Sequence, residues 1–441
     1  MREVLKSRAN IQTSAEQRAN VRATVVDVIE DIRQRGDVAV REYSERFDNW
    51  SPESFKLSDE QIEEIIATVP EQVIADIKVA QANIRGFARH QLESLKDFEV
   101  ETMPGVFLGQ KSIPVRNVGA YIPGGRYPMI ASAHMTILTA KTAGVEHVIG
   151  CTPPIRGEIP AATIASMHFA GADEIYLLGG VQAIAAMSVG TETIRKVDLI
   201  SGPGNAFVAE AKRELFGDVG IDLLAGPTEI LVVTDDHTDP FIAAVDILSQ
   251  AEHGPDSPCV LIATSRDVAT KAMEHIEELL PQMPTGDLAS TSWQNYGQVI
   301  LVDSLAEAYE LADEFAYEHV EILTENPREA LAAMHNYGAI FLGEGTCVSY
   351  GDKIIGTNHT LPTRGAANYT GGLWVGKFLK TVTYQEVRDQ QSSAEIGRIC
   401  ARLCRDEFFD GHARSGDVRA AKFGGDPLPW SPDSYPTQEA Q

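Results

Sequence analysis

Val118-Gly119-Ala120-Tyr121-Ile122-Pro123-Gly124-Gly125 is a short apolar run broken by proline and glycine, and its recurrence along the chain decides the fold. A helical stretch leads to Gly144, and the pattern returns at Val148-Ile149-Gly150-Cys151-Thr152, then again at Ile175-Tyr176-Leu177-Leu178-Gly179-Gly180 after a helix ending at Gly171. Repeated strand, loop and helix predict a parallel sheet, because parallel neighbours need a crossover between them. Two more strand ends come next, Leu199-Ile200-Ser201-Gly202-Pro203-Gly204-Asn205 and Leu224-Ala225-Gly226-Pro227-Thr228-Glu229. Open sheets of this kind bind ligands at their carboxyl strand ends, where amides at a helix start can face phosphate. No GxGxxG fingerprint accompanies these glycines, so tight turns explain them equally well.

Upstream, Val21, Val25, Val28, Ile29 and Ile32 recur at helical spacing until Gly36-Asp37, Ser58-Asp59-Glu60-Gln61 opens a capped helix, and Pro70 starts another through Ile74, Ile77 and Ile84. Downstream of the polar link Asp235–Pro240, strand and helix alternate again through Val260-Leu261-Ile262-Ala263, Val299-Ile300-Leu301-Val302 and Ala339-Ile340-Phe341-Leu342. From about residue 384 the chain reads as helical, and after Phe423 it loses periodicity and is expected to fray. The expected architecture is therefore α/β, with two Rossmann-like parallel-sheet domains at 117–235 and 236–383. A helical N-terminal layer, residues 1–116, is expected to pack with the second α/β domain; a small helical C-terminal segment spans 384–425 and a tail 426–441. No internal repeat of fixed period is visible.

The 441 residues, 44% of them apolar, exceed what one ordinary core requires. With 37 basic against 63 acidic residues, the net charge of −26 speaks against nucleic acid or an anionic membrane as partner. Neither a signal peptide nor a run of about 18 apolar residues is present, so a cytoplasmic protein without a membrane span is expected. Cys151, Cys259, Cys347, Cys400 and Cys404 are odd in number and lack paired CxxC spacing, which points to reduced thiols.

Candidate chemistry begins at Ser249-Gln250-Ala251-Glu252-His253-Gly254-Pro255. Phe241, Val245 and Leu248 repeat at helical spacing, so Gln250 and His253 are predicted on one helix face until Gly254-Pro255 ends it. Zinc accepts both donor types, but two donors make no site, and a helix-end histidine bonded to a carbonyl is the plainer reading of the pair alone. Glu318-His319, Asp352 and Asn358-His359-Thr360-Leu361-Pro362-Thr363 lie in a turn-rich part of the second domain.

Tyr121-Ile122-Pro123-Gly124-Gly125, Gly202-Pro203-Gly204-Asn205-Ala206-Phe207-Val208, Ser249 to Asp256, Tyr317-Glu318-His319 and Gly356-Thr357-Asn358-His359 together resemble the histidinol dehydrogenase family, over about residues 15–422. The resemblance implies a zinc-requiring, NAD-dependent enzyme that oxidises a primary alcohol through an aldehyde to a carboxylate, reducing two NAD. It implies a homodimer with exchanged C-terminal segments, zinc on Gln250, His253, Asp352 and His412, and NAD on Tyr121, Gln182 and Asn205 of domain 117–235. His319 is then the base toward the alcohol and Glu318 the group that activates water; Thr228, Gln250, His253, His319, Asp352, His359, Glu407 and His412 fall at substrate-contacting positions.

This sequence departs from the family pattern in places. Thr228 stands where the family has serine, and Tyr369–Lys380 and Gly125–His134 resemble the branch that acts on sulfopropanediol. A sulfonate calls for cationic donors, and Arg126, His134, Arg364 and Arg405 are the candidates. Histidinol stays open as the rival substrate, since Glu407 suits a cationic group. Two further classes stay open as well, a non-catalytic metal-binding homologue and a zinc hydrolase that needs no NAD. Against the first, every ligand and proton-transfer position is occupied by a competent residue.

Overall fold

The computed structural model of the chain describes residues 2–9, 15–124 and 128–431. Arg126 and the end of the tail, 432–441, lie outside the described residues. The chain divides into two compact units, one formed by the residues up to Leu92 with Pro114–Phe378, the other by Glu93–Ile113 with the chain from Leu379 onward.

Among the described residues the first unit holds two parallel sheets. In space, the strands of the five-stranded sheet run Glu174–Leu177, His147–Thr152, Asn117–Tyr121, Leu199–Ser201 and Gly220–Ile221. The six-stranded sheet runs Glu3–Lys6, Gly297–Leu301, Cys259–Ala263, Ile230–Thr234, His319–Leu323 and Ala339–Leu342, with Glu3–Lys6 antiparallel at the edge. Leaving that edge strand aside, both sheets follow the order 3-2-1-4-5 in chain sequence, which the sequence did not reveal as a repeat. In each, the order reverses beside the first strand, and such reversals open a crevice between diverging loops.

Ile230–Thr234 is fully buried and pairs with Cys259–Ala263 and His319–Leu323, so it is the central strand of the second sheet and not, as expected, the end of the first domain. The N-terminal helices also differ from expectation. Val25, Val28, Ile29 and Ile32 of helix Ala15–Arg35 join one apolar cluster with Val181, Ala185 and Leu215, so this helix covers the first sheet, while strand Glu3–Lys6 joins the second and Asn83 of helix Glu71–Glu93 donates to the Ile354 carbonyl. Helical spacing defines a stripe to be buried but does not say which apolar surface will cover it. The predicted cap is present: Ser58 and Gln61 form a capping box at helix Asp59–Ala67.

The second unit is not purely helical. Strands Phe98–Met103, Val106–Pro114 and Leu379–Val387 form a three-stranded sheet, and helices Gln390–Asp406 and Asp410–Gly424 pack together after it. The expected helix from residue 384 therefore begins six residues later, at Gln390, where Asp389 accepts the Ser392 amide as its cap.

His134 opens a single π-helical turn, His134–Leu138, and is buried in the first unit. Its Nδ1 meets Ser166 Oγ at 2.9 Å and Gln81 Nε2 at 3.1 Å. Burial, with the nearby His359, pushes its pKa down to about 4. A histidine held below its unfolded value contributes stability above that value and loses it as pH falls toward 4. His134→Gln should therefore flatten the acid dependence of urea unfolding: between pH 7 and pH 5 the wild-type protein should lose about 2 kcal/mol more than the variant. Equal losses in both would assign the acid sensitivity elsewhere.

Candidate active site

A cleft of about 300 Å³ opens between the two sheets of the first unit. One wall comes from the carboxyl ends at the first reversal, where Pro123 and Gly124 follow Asn117–Tyr121 and Pro203, Gly204 and Asn205 follow Leu199–Ser201. The opposite wall comes from the amino ends of the second sheet. Thr228 sits just before Ile230–Thr234, and Glu318-His319 stand at the start of His319–Leu323.

The first wall is held from below. Gly202, at φ +119°, lies so close to Tyr121 that a Cβ there would be 2.0 Å from the Tyr121 carbonyl oxygen, so only glycine fits. Asp222 accepts the Gly202 amide at 2.7 Å and pairs with buried Lys212, which donates to the Gly202 carbonyl at 3.0 Å. Asn205 caps helix Ala206–Leu215, accepting from the amides of Phe207 and Val208 at 3.0 and 3.1 Å. Of the three positions expected to touch NAD, Asn205 lines the cleft, whereas Tyr121 and Gln182 are buried behind it. Tyr121 Oη accepts the Gly180 amide at 3.2 Å and Gln182 Nε2 donates to Asp48 at 2.8 Å.

The second wall is organised by the main chain of Glu229. Its amide donates to Glu318 Oε2 at 3.1 Å, and its carbonyl accepts the His319 amide at 3.2 Å and lies 3.0 Å from His319 Nδ1. A carbonyl can only accept, so Nδ1 carries the ring proton and Nε2 is the free lone pair. That Nε2 is buried without a hydrogen-bond partner and lies 3.7 Å from Asp352 Oδ1. Burial pushes the His319 pKa down to about 4, against the opposing pull of Asp352, so the imidazole is neutral at pH 7. Burial also raises the Glu318 carboxyl well above the carboxylate range. The same cause lifts Glu229, whose Oε1 accepts the Arg364 amide at 2.9 Å, to about 7.

His253, Asp352 and His359 complete this wall. His359 Nδ1 lies 3.2 Å from the Asp352 carbonyl and Nε2 3.4 Å from Ser132 Oγ. His253 is open to solvent through the cleft, yet desolvation of its ring lowers its pKa. Gln250 is buried off the cleft surface, and its Oε1 has no partner. The helix ends at Ala251, with Glu252 as its cap, so Gln250 and His253 do not share a helix face as predicted; His253 lies in the turn beyond, its amide donating to the Gln250 carbonyl at 3.2 Å. Phe241 and Val245 are exposed, and Ala243, Ala244, Ile247 and Leu248 form the buried face of this helix.

An unmet buried acceptor is costly, and a donor set of amide oxygen, imidazole and carboxylate, without thiolate, suits a hard divalent cation. Gln250, His253 and Asp352 thus fit the zinc ligands that the resemblance assigns. His412 and Glu407 belong to the second unit, where both are exposed. The compact group Asp235, Asp236 and His237 has ligand spacing, but Asp235 already accepts the amides of His237 and Glu325 at 2.9 and 2.8 Å, which makes it a turn.

The sulfonate candidates separate clearly. His134 is a core residue and does not line the cleft, and Arg405 is engaged by Asp417 within its own unit. Arg364 remains: its side chain rests on cleft residue Gly226, where a Cβ would come within 2.6 Å of Nε. The sequence reading missed Lys353, whose cation lines the cleft beside Asp352, and Glu229, whose main chain positions the pair. Both adjoin residues it singled out, Asp352 and Thr228.

Comparison with known proteins agrees with this geometry. The profile of histidinol dehydrogenase matches residues 11–420. A histidinol dehydrogenase homolog of Shouchella clausii is 62% identical over 404 residues, 92% of this chain and 95% of that one. The sulfopropanediol 3-dehydrogenase of Ruegeria pomeroyi is 44% identical over 414 residues, 93% of this chain and 95% of its own. A crystal structure of histidinol dehydrogenase from Elizabethkingia anophelis superposes with a TM-score of 0.89 at 33% identity, covering 95% of both chains. No described helix is long and apolar enough to cross a membrane. The chain belongs to the histidinol dehydrogenase family, NAD-dependent oxidoreductases acting on CH–OH groups.

Proposed function

We propose that this protein oxidises (R)-2,3-dihydroxypropane-1-sulfonate through its aldehyde to (R)-3-sulfolactate, reducing two NAD. The observation that carries this reading is a free, neutral His319 Nε2 in a cleft that also presents the Lys353 cation. The likeness to a sulfopropanediol 3-dehydrogenase supports the substrate class. Gln250, His253 and Asp352, with His412 of a second subunit, would hold zinc, which when bound would supply a Lewis acid at the alcohol oxygen, while NAD would supply the hydride acceptor.

The chain's own residues do the rest. His319 Nε2 takes the hydroxyl proton as hydride leaves, its ring fixed by the Glu229 carbonyl. Glu318, whose affinity for a proton is raised by burial, takes one from the water that adds to the aldehyde. Lys353, with Arg364 over Gly226, faces the sulfonate. In the second unit Ile399, Leu403, Phe408 and Phe409 are all more than half exposed, which suits a segment covered by another subunit. We infer from this a homodimer with exchanged C-terminal segments.

NADH formation from a panel of purified alcohols tests the substrate. Sulfopropanediol should be turned over and histidinol should not; the reverse result assigns histidinol. Lys353→Met should raise KM for the sulfonate about 10- to 100-fold, the worth of one charge-assisted hydrogen bond. Glu318→Gln should keep metal and NAD binding but slow carboxylate formation about 100-fold or more, so the yield falls from two NADH per alcohol toward one. His412→Asn should weaken zinc by about 10-fold or more in chelator competition. Full zinc retention in that variant removes His412 from the ligand set.

A further inference from the structure

Two buried carboxyl groups take no part in the chemistry above. Glu321, fully buried, lies two residues beyond His319 on strand His319–Leu323, hence on the same face of the sheet. Asp246 lies one turn before Gln250 on helix Pro240–Ala251, hence on the same side of that helix. The two carboxyls lie against each other, and Asp246 raises the Glu321 pKa. Glu321 Oε1 also accepts the Val348 amide at 2.8 Å. Val348 opens helix Val348–Lys353, which carries Asp352 and whose N-cap residue, Cys347, provides no side-chain bond.

We propose that Glu321 is a positioning residue for the dehydrogenase reaction, a brace fixing the relative placement of the three segments that bear His319, Gln250 and Asp352. It does not line the cleft and so acts only through these neighbours. Burial raises both carboxyls, Asp246 to about 6 and Glu321 well above its usual range. One proton shared between the two carboxyls then links them, at a Glu321 Oε2 that has no other partner. Each bond crosses from one element to another: strand to helix Pro240–Ala251, and strand to helix Val348–Lys353. A residue that merely filled space would be replaced without harm by an apolar side chain, since buried carboxyls cost more to desolvate than they return.

The test compares Glu321→Leu with Glu321→Gln in the full-length enzyme. Glutamine keeps both bonds, because its oxygen can accept from Val348 and its amide can donate to Asp246. It should retain zinc affinity and kcat within about threefold. Leucine should lower kcat and zinc affinity by about 10- to 100-fold while the NAD dissociation constant stays within about twofold, because the NAD wall belongs to the other sheet. Wild-type kcat and zinc affinity in Glu321→Leu overturn the proposal, as does an equal loss in Glu321→Gln. Should Glu321→Leu fail to fold, Asp246→Ala should show the same pattern in milder form, and an unchanged Asp246→Ala enzyme is contrary to it. The inference rests on the proposed site. A wild-type protein that binds no zinc and reduces no NAD refutes that reading, whereas an active wild type with an indifferent Glu321→Leu refutes the brace alone.

Discussion

The main chain of Glu229 is the constraint on which the cleft depends. One residue donates to Glu318 and accepts twice from His319, so the two neighbours cannot turn independently. The backbone concerned enters the central, doubly buried strand Ile230–Thr234. Rigidity is therefore inherited from the sheet. The tautomer of His319 follows from the same carbonyl, so main-chain geometry leaves Nε2 as the ring's proton-accepting atom.

Burial supplies the rest of the chemistry. Glu318, Glu229, Glu321 and Asp352 are all buried in or behind one wall, and isolated charges of that kind are costly. Three of the four respond by holding protons above their usual range, with desolvation as the leading cause. Asp352 faces His319 Nε2 and His253, where a cation would offset the remaining charge. Gln250 Oε1, buried behind the same wall, has no hydrogen-bond partner either.

Local signals are legible where the chain marks them locally. Glycine clusters after Asn117–Tyr121 and Glu174–Leu177 and the proline pair after His147–Thr152 betray the crossovers, and Ser58 with Gln61 announces its own cap. Partnership between distant elements has no such mark. Ile230–Thr234 is a continuous apolar run that would suit either sheet, and the stripe on Ala15–Arg35 would cover either one. Exposed alternation hid strand Phe98–Met103, in which no residue is buried. In the site, motifs drew attention to Glu318, His319, His253 and Asp352, but their convergence comes from topology, and neither Lys353 nor the Glu229 main chain has a pattern that announces it. His134 misled for a related reason: a cation-capable side chain reads the same in a core as in a pocket until its neighbours Gln81 and Ser166 are known.

The two walls come from opposite ends of two like-ordered sheets, carboxyl ends on one side and amino ends on the other. The divided layout separates two evolutionary tasks. On the proposed reading, exchanging one alcohol for another would involve residues beside Asp352 and around Arg364, on the wall opposite the Gly202, Lys212 and Asp222 contacts. On that reading paralogues would diversify in diet while inheriting an unaltered redox partner, and tolerance for new substrates would be a property of the layout.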